Sequence, residues 1–547
     1  MDSLASLGTA YRILLYVLSP FVLVALGLTL VRAYTAWSYY NTLKQFTQEP
    51  QRSKQTVTPP QIPYTLPWLG NSLSFLAPSP GAFWDKLFAW HPRTTGVCTL
   101  LLGGKKTHIL FSPVAVQAMF KDRKLTRDVF EEELFTKVFQ FEVEQVRLAQ
   151  AGKHFEHEMN AQYLTKHDRV NELTAHFTKV LGEVLDKDAD AVEKMGEIGI
   201  YHWLRDRMFT ASTVALMGEK LLQMYPDYCE DFFKFDIDFL SFFFELPSFM
   251  MGDAITNRDK IISKLKIWSA EMHKQSGGTP VDPEGPAWEP LFGSRLNRAR
   301  QLDYKNRQLN KHSGAGFDLG ITFGLASNVI PATGWMLMHI LSPSAEPTLL
   351  PRVLVEVDKA TKSDGTLDIP TLVSQPLLQS IWTETLRLYT DVLVTRNAEE
   401  TITLPLDEDG KRQVTYHKGD YIFAPSWLGH RDAKAWSGGA PFDTFFADRF
   451  LTKDSKTGAV TYSLTGTAGK FFPFGGGKTI CPGRVFAKQE GLGALAMVLS
   501  RFEFEVTGFL DINKKETKSF PGFPKVFAGS GTLAPGGDVK VKVKRWQ

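Results

Sequence analysis

Hydrophobic positions along the chain recur mainly with a helical period, and only short regions alternate as strands do. Residues 114–275 and 314–342 repeat apolar side chains every three to four positions, which predicts helices. Residues 96–112 predict two strands around a Gly-Gly turn, and residues 401–425 predict short strands joined by turns. The pattern therefore indicates a mainly α fold with small β-sheets.

The rest of the chain completes this pattern. We expect a helix over residues 371–390, a last helix from about Pro482 to Ser500, and strands after it. Residues 276–292 are rich in Pro and Gly and predict a loop. The sequence carries no β-α-β alternation, no G-x-G-x-x-G, no lysine-bearing P-loop and no H-E-x-x-H motif. Dinucleotide, nucleoside-triphosphate and zinc-peptidase sites are therefore not indicated.

An uncharged run near the start predicts a membrane anchor. Residues 13–31 carry no charge and lie between Arg12 and Arg32. A helix of this length spans ~28 Å, close to the thickness of a bilayer core. A cleaved signal peptide is the alternative, but the run is long for a signal core and no small-residue cleavage site follows it. The residues that follow resemble an interfacial aromatic belt: Tyr34, Trp37, Tyr39 and Tyr40.

The residues after the span predict its orientation and a connection to the body. Lys44, Arg52 and Lys54 outnumber Arg12 before the span, which favours a cytosolic body. The proline-dense stretch "TPPQIPYTLPWLGN" predicts a stiff extended spacer, because prolines at this density prevent a helix. The predicted division is an anchor at 1–34, a juxtamembrane segment with a Pro-rich hinge at 35–70, and one catalytic domain at 71–547.

Composition narrows the function classes. The 547 residues are 43% hydrophobic and 22% charged, enough for a large core. A net charge of +3, with no basic stripe, argues against nucleic acid as a partner. Three cysteines are too few for a disulfide framework and favour a reducing compartment such as the cytosol. We expect Cys98 and Cys229 to be small buried apolar residues.

The third cysteine has a different setting. Cys481 lies in "FFPFGGGKTICPGRVFAKQE", after three glycines and before the predicted last helix. Glycines allow positive φ and a close approach of the backbone to a flat ligand. Backbone N–H groups and the start of a helix can bind a sulfur and lower its pKa. A buried cysteine in a Gly-rich turn would be the plain alternative.

This stretch resembles the haem-binding signature of the cytochrome P-450 superfamily, and in particular its membrane-bound eukaryotic, fungal type. The matching positions are Phe474, Gly475, Gly477, Cys481 and Gly483. The resemblance implies the cytochrome P-450 fold, haem b (iron protoporphyrin IX) as cofactor, and Cys481 as the axial ligand of its iron. One position departs from the family, because Thr479 stands where an Arg or His usually holds a haem propionate.

Further matches extend the resemblance over the whole chain. In "ETLR", Glu384 and Arg387 share one helix face, and Arg449 follows 62 residues after Arg387 at the position of the family's third partner. The resemblance implies that these three residues form a buried structural network. Arg396, nine residues past Arg387, matches a family position that reaches a propionate.

The central helix departs from most of the superfamily. Aligning "FGLASNVIPATGW" places Gly324 at the oxygen groove, Ser327 at the usual acid and Asn328 at the usual threonine. Sterol 7α- and 12α-hydroxylases and prostacyclin synthase, which this chain resembles most, also carry Asn there. That branch contains both oxygenases and an isomerase, so Asn328 alone does not separate the two activities. A plain alternative is that Asn328 satisfies the backbone gap left by Pro331.

The resemblance implies a haem-thiolate monooxygenase that takes electrons from an NADPH-dependent reductase, with cytochrome b5 as an optional second donor. Four basic residues around the loop would dock the reductase: Lys470, Lys478, Arg484 and Lys488. Eight Phe in residues 232–251 would form the roof of a channel for a sterol, steroid, terpenoid or other apolar metabolite, unless they are core residues. The expected location is the endoplasmic reticulum membrane.

Two other functions stay open or are disfavoured. A haem-thiolate isomerase or lyase would rearrange a peroxide without O2 or a reductase, and it would use the same fold and iron ligand. A haem- or sterol-binding membrane protein without turnover would give the network of Glu384, Arg387 and Arg449 no reason to accompany the thiolate loop. Substrate identity, the carbon attacked and the oligomeric state are not encoded in any motif.

Overall fold

The computed structural model describes residues 2–47, 54–151, 153–277, 282–342 and 346–546, with backbone only for residues 2–19 and 153–157. Arg52 and part of the predicted loop at 276–292 lie outside the described residues. The chain divides into two compact units, one of Met1–Arg127 with Leu393–Pro425 and one of Asp128–Val392 with Ser426–Gln547. The single catalytic domain expected at 71–547 stays a prediction.

Helices make up most of the described chain, as the apolar periodicity predicts. In chain order they are α1 (Asp2–Thr47), α2 (Ser72–Phe75), α3 (Ala82–Phe88), α4 (Pro113–Lys121), α5 (Asp128–Lys137), α6 (Val143–Ala151), α7 (Lys153–Leu164), α8 (His167–Lys194), α9 (Ile200–Met217), α10 (Lys220–Met224), α11 (Tyr228–Phe243), α12 (Gly252–Gln275), α13 (Arg295–Asn306), α14 (Lys311–Ala326), α15 (Val329–Leu341), α16 (Leu349–Lys359), α17 (Ile369–Ser374), α18 (Pro376–Tyr389), α19 (Ser426–His430), α20 (Ala433–Trp436) and α21 (Arg484–Arg501).

The strands are mostly short, and each of those described pairs in a small sheet. They are β1 (Gln55–Thr56), β2 (Val97–Leu102), β3 (Lys105–Leu110), β4 (Leu125–Thr126), β5 (Glu197–Gly199), β6 (Trp288–Glu289), β7 (Gly293–Ser294), β8 (Thr390–Asp391), β9 (Leu393–Ala398), β10 (Ile402–Pro405), β11 (Arg412–Tyr416), β12 (Tyr421–Pro425), β13 (Leu451–Lys453), β14 (Val460–Tyr462), β15 (Phe502–Asp511), β16 (Glu516–Thr517), β17 (Gly531–Thr532) and β18 (Gly537–Arg545). The predicted hairpin at 96–112 is β2 and β3, and the strands predicted at 401–425 are β10, β11 and β12.

The first unit holds the predicted hairpins in two sheets. One sheet has the order β2-β3-β12-β9-β4, and the other has the order β1-β11-β10. Buried residues alternate along β9, which is typical of a strand with one face on a core. Cys98 on β2 is fully buried, as its apolar surroundings predict.

The second unit is helical around one large apolar core. The long helix predicted at 314–342 forms, but it is broken into α14 and α15 at Ser327 and Asn328. Pro331 accounts for the break, because a continuous helix would need its N–H to donate to the carbonyl of Ser327, and proline has no N–H. The break places Pro331 in the first turn of α15, where an N–H has no acceptor within the helix.

Two helical stretches among the described residues are long and apolar enough to cross a membrane, Pro20–Phe46 and Lys311–Leu341. The second is 72% buried inside the protein and is the central core helix, whereas the first is 6% buried. The first stretch overlaps the anchor predicted at 13–31 and extends well beyond it. It keeps Tyr34, Trp37 and Tyr40 exposed, while Tyr39 is buried.

The proline-dense segment takes a different course from the extended spacer that its composition predicts. The Tyr64 carbonyl accepts a hydrogen bond from Thr35 Oγ1 at 3.0 Å, and the Thr58 N–H donates to Gln45 Oε1 at 3.1 Å. The segment therefore runs back along the end of α1. Prolines stiffen this segment, but side-chain contacts with the helix decide where it lies.

Candidate functional site

The loop around Cys481 is closed by its own backbone. The Cys481 N–H donates to the Phe474 carbonyl at 3.0 Å, and Gly475 and Gly477 have φ of +69° and +70°. Only glycine takes these values without strain, which accounts for the Gly-rich sequence. Helix α21 begins directly after Gly483, and the side chain of Cys481 is exposed. The loop thus presents a sulfur at the start of a helix, where a thiolate is stabilised.

A buried histidine fixes the segment that leads into this loop. His430 Nε2 accepts the Phe472 N–H at 3.0 Å, and the Phe472 carbonyl accepts the Gly475 N–H at 3.0 Å. Burial lowers the pKa of His430 to about 3, so the ring is neutral and carries its proton on Nδ1. No motif in the sequence predicts the role of His430. A Gly-His-Arg-Asp run after a buried strand was the one available signal, and it is weak.

The predicted network of Glu384, Arg387 and Arg449 forms and is buried. Arg387 makes a two-pronged pair with Glu384, with Nε to Oε2 at 2.7 Å and Nη2 to Oε1 at 2.9 Å. Arg449 Nε donates to Glu384 Oε1 at 2.9 Å. Both guanidinium groups also donate hydrogen bonds to backbone carbonyls. One of these bonds runs from Arg387 to the carbonyl of His430. The network therefore holds the segment that supports the Cys481 loop.

The oxygen-side positions lie together at the break in the central helix. Gly324 is exposed although Thr322 and Leu325 on α14 are buried, and a Cβ there would meet nothing within 4 Å. Ser327 Oγ donates to the Phe323 carbonyl at 2.7 Å and accepts from Asn328 Nδ2 at 3.3 Å. Asn328 Oδ1 accepts the Thr532 N–H at 2.9 Å. The Asn328 side chain therefore binds a distant strand and not the gap that Pro331 leaves in its own helix.

The Phe-rich stretch at 232–251 divides into a core part and a surface part. Phe232 and Phe235 on α11 are fully buried, and Phe239 stacks on Phe323 of α14 with centroids 3.9 Å apart. Phe249, in contrast, is 86% exposed. Core packing thus accounts for part of the stretch. The Phe239–Phe323 stack joins α11 to the helix that carries Gly324.

Three observations test whether these residues fit a haem. The Cys481 side chain is exposed on a loop whose backbone is fully organised. Gly324 is exposed on the central helix, and a Cβ there would meet nothing within 4 Å. The Thr479 hydroxyl is buried and has no hydrogen-bond partner among the described residues, so a polar group of a bound molecule would satisfy it. The residues present therefore fit a flat macrocycle that carries polar substituents.

The remaining predicted positions are Arg396, Lys488 and Cys229. Arg396 is buried on β9 of the first unit and donates to the Thr395 carbonyl at 2.8 Å. Its assignment to a propionate stays a prediction. Lys488 contradicts the expected basic surface, because it points inward and donates to Gln379 Oε1 at 2.7 Å. Burial lowers the pKa of Lys488 to about 8. Cys229 is partly buried, with its sulfur 3.6 Å from Asp206 Oδ1.

Comparisons with known proteins agree with this geometry. The sequence model of the cytochrome P450 family matches residues 320–526. "Cytochrome P450 monooxygenase calL" of Penicillium decumbens is 28% identical over 83% of this chain and 87% of its own length. "Cytochrome P450 7A1" of Oryctolagus cuniculus is 31% identical over 63% of this chain and 66% of its own.

A solved structure shares the fold. "Retinoic acid bound cyanobacterial CYP120A1" has a TM-score of 0.65 and 17% identity, and the match covers 89% of this chain and 99% of that one. The family match includes both the Cys481 loop and the buried Glu384 network, and the fold extends over nearly all of the chain. This chain therefore belongs to the cytochrome P450 superfamily, on the side of its sterol hydroxylase-like branch.

Proposed function

We propose that this protein is a haem-thiolate monooxygenase that oxidises a lipophilic substrate with O2 and electrons from an NADPH-dependent reductase. The observation that carries the proposal is the exposed Cys481 side chain on an organised loop at the start of α21. Relatives named as monooxygenases support the same activity. Bound haem would supply oxygen activation, and a thiolate ligand favours O–O cleavage.

The chain's own residues would hold the cofactor and shape the oxygen pocket. Cys481 ligates the iron, and Phe474 covers the sulfur on one side. Thr479 would bind a propionate, while Gly475, Gly477 and Gly483 would let the backbone approach the ring. The same role for Arg396 rests on the family resemblance alone. Gly324 leaves room for oxygen. Ser327 and Asn328 hold polar groups beside it. The Ser327 hydroxyl proton is committed to the Phe323 carbonyl, so this pair orients an oxygen atom and does not pass a proton.

The substrate class rests on the relatives and on the apolar lining. A protein named "Cholesterol 7-alpha-monooxygenase" from Cricetulus griseus is 35% identical over 41% of this chain. Phe239 and Phe323 offer flat apolar surface near Gly324. A polycyclic isoprenoid such as a sterol, steroid or terpenoid fits these surroundings best.

The same proposal names the membrane and redox partners. The apolar span at 13–31, which overlaps the start of the stretch Pro20–Phe46, anchors the protein in the endoplasmic reticulum membrane with the catalytic body in the cytosol. Lys470 and Lys478, with Arg484, form the basic surface for an acidic reductase, without the inward-pointing Lys488. Cytochrome b5 would use the same surface.

Isotope labelling tests the proposal. The full chain, expressed in microsomes with reductase, is incubated with sterol and terpenoid precursors under 18O2, and the products are analysed by mass spectrometry. One labelled oxygen atom per product, formed only with NADPH and reductase, is expected. An unlabelled product isomeric with its precursor would replace the proposal with the isomerase, the second candidate, which Asn328 allows equally.

A matched pair of cysteine variants tests the ligand. Cys481→Ser should abolish the red-shifted Soret band of the reduced carbon-monoxide complex, because a hydroxyl does not supply a thiolate. Cys229→Ser, which changes a partly buried sulfur away from the loop, should keep that band. An unchanged band in Cys481→Ser would show that Cys481 is not the iron ligand.

A further inference from the structure

A short C-terminal segment, Phe527–Leu533, is held against the break in the central helix. We call it the C-terminal strap. It contains β17, which pairs with β8, and Leu533 exchanges hydrogen bonds with two aromatic residues: its N–H donates to the Tyr389 carbonyl and its carbonyl accepts from Trp335 Nε1, each at 2.7 Å. At its other end the Phe527 ring meets Phe244 edge-on, with centroids 5.9 Å apart. The strap thus connects the end of α11 with the central helix.

The strap also fixes the orientation of one side-chain amide. Asn328 Oδ1 accepts the Thr532 N–H at 2.9 Å, so the amide oxygen is committed to the strap. Asn328 Nδ2 donates one hydrogen to Ser327 Oγ at 3.3 Å, and the described residues offer no acceptor for the other. The Ser327 hydroxyl proton goes to the Phe323 carbonyl, so Ser327 Oγ accepts from Asn328 and has no proton to donate to it. The amide therefore keeps one N–H that can donate to a ligand.

Glycine at position 531 is required for this contact. Gly531 has a φ of +86°, and a Cβ built there would lie 2.6 Å from Asn328 Oδ1. A side chain would push the amide away from Thr532. Asp391 Oδ2 supports the turn from the opposite side by accepting the Gly529 N–H at 3.2 Å. Burial raises the pKa of Asp391 to about 6.

The remaining N–H of Asn328 lies four residues after the open position at Gly324. Helix α14 ends at Ala326, so this donor lies at the break in the central helix, directly after the turn that carries Gly324. A threonine would bring a hydroxyl that both donates and accepts. An amide whose oxygen is committed elsewhere brings a single donor of fixed direction.

We propose that Gly531 and Thr532 are positioning residues that orient the Asn328 amide, so that its Nδ2 group would donate a hydrogen bond to a ligand bound in the open space beside Gly324. The inference rests on the proposed haem-thiolate function and adds a part of the chain far from the signature loop. The strap thereby couples the substrate roof at Phe244 to the oxygen-side donor.

Two readouts on the full holoenzyme test the two halves of the proposal. The C–O stretching frequency of the reduced carbon-monoxide complex reports a donor near the ligand, because a hydrogen bond to the ligand oxygen lowers that frequency. Hydrogen exchange of the strap peptide reports whether the Thr532 N–H is bonded. Asn328→Asp keeps an acceptor for Thr532 but loses the donor, and Asn328→Ala loses both.

We expect the C–O stretch to rise in Asn328→Asp and in Asn328→Ala. Exchange of one strap amide should become faster in Asn328→Ala alone. Gly531→Ala should also raise the stretch, and Gly529→Ala, which places alanine at a φ of +90° in the same strap, controls for backbone strain. In the Asn328→Ala background, Gly531→Ala should add nothing to the stretch, since the amide it displaces is absent.

The outcomes separate the possible failures. An unchanged stretch in Asn328→Ala, or a shift by Gly531→Ala that persists in that background, would overturn the donor and its positioning. Strap exchange in Asn328→Ala equal to that of the wild type would overturn the contact with Thr532, even if Gly531→Ala does not fold. Absence of the thiolate-type Soret band in the wild type would instead reject the haem-thiolate function, and the exchange measurement would still decide on the contact.

Discussion

At the residue scale, Glu384 has two positive partners and no exposure to solvent. Its carboxylate accepts from Arg387 and Arg449 and also from the Phe446 N–H at 3.1 Å. We expect Glu384→Gln to destabilise the protein by about 3–5 kcal/mol, because it leaves two buried guanidinium groups without a counter-charge. The thermal unfolding midpoint and the fraction of haem-loaded protein measure this effect.

An exposed ion pair supplies the control. Glu346 pairs with Arg352 at 3.2 Å and is 55% exposed, so Glu346→Gln should change stability by no more than about 0.5 kcal/mol. If Glu384→Gln matched this control in both midpoint and haem content, the network would not hold the Cys481 segment as we describe.

Glu490 on α21 predicts a dependence of stability on pH. It is 1% exposed, Ser212 donates to its Oε1, and its Oε2 has no partner among the described residues. Burial raises the pKa of Glu490 from 4.5 to about 8. The folded state therefore keeps a proton that the unfolded state releases. We expect this group's contribution to the free energy of unfolding to be complete below pH 4.5 and to fall by ~1.4 kcal/mol per pH unit up to about pH 8.

Glu490→Gln isolates that contribution, since an amide does not titrate. The difference in unfolding midpoint between this variant and the wild type should grow in the variant's favour as the pH rises from 5 to 8. Glu503→Gln, at an exposed position on β15, should follow the wild type throughout. A constant difference for Glu490→Gln would mean that the buried carboxyl group is ionised in the folded protein.

At the element scale, the central helix depends on small residues where other helices cross it. A Cβ at Gly334 of α15 would lie 2.4 Å from the ring of Tyr201 on α9, which is buried. We expect Gly334→Ala to destabilise the protein by roughly 1–3 kcal/mol through overpacking, in spite of the better helix propensity of alanine. Differential scanning of the holoenzyme measures the change.

The same helix contains its own control. A Cβ at Gly314 of α14 would make ordinary contact with Tyr304 at 3.5 Å. Gly314→Ala should be neutral or stabilising, by up to about 1 kcal/mol, because it removes backbone freedom from the unfolded chain. Destabilisation of equal size at both positions would indicate a general intolerance of the helix and not the crossing with Tyr201.

The elements and the site were predictable where residue type and spacing alone define them. The turn at Cys481, the pairing of Glu384 with Arg387 and the break near Asn328 follow from local sequence, since glycine, proline and the i, i+3 spacing act over a few residues. The burial of that pair was implied only by the family resemblance. Contacts between distant residues were not predictable. The inward turn of Lys488 onto Gln379 and the bond from Thr532 to Asn328 join residues more than 100 positions apart, and no local pattern marks them.

At the scale of the whole molecule, helix α1 continues past the predicted span, and its last turns pack on the first unit. The buried Tyr39 hydroxyl lies 2.9 Å from His91 Nδ1, and Thr95 Oγ1 lies 3.0 Å from Nε2. Burial lowers the pKa of His91 to about 4, so the ring is neutral and bonds through both nitrogens. Composition predicted a membrane span here. The tertiary contacts of its last turns have no signature in an apolar run.

Two truncations separate membrane attachment from this structural role. Removal of residues 2–31 deletes the predicted span but keeps the turns that bear Thr35, Tyr39 and Phe46, which are buried in the first unit. This variant should leave the membrane fraction and keep the thermal midpoint of the full chain.

Removal of residues 2–47 also exposes His91 and the apolar surface under α1. Its midpoint should fall, because buried polar groups then lack partners. If the two variants were equally stable, the end of α1 would serve attachment alone. If the shorter deletion stayed in the membrane fraction, another surface of the protein would bind lipid.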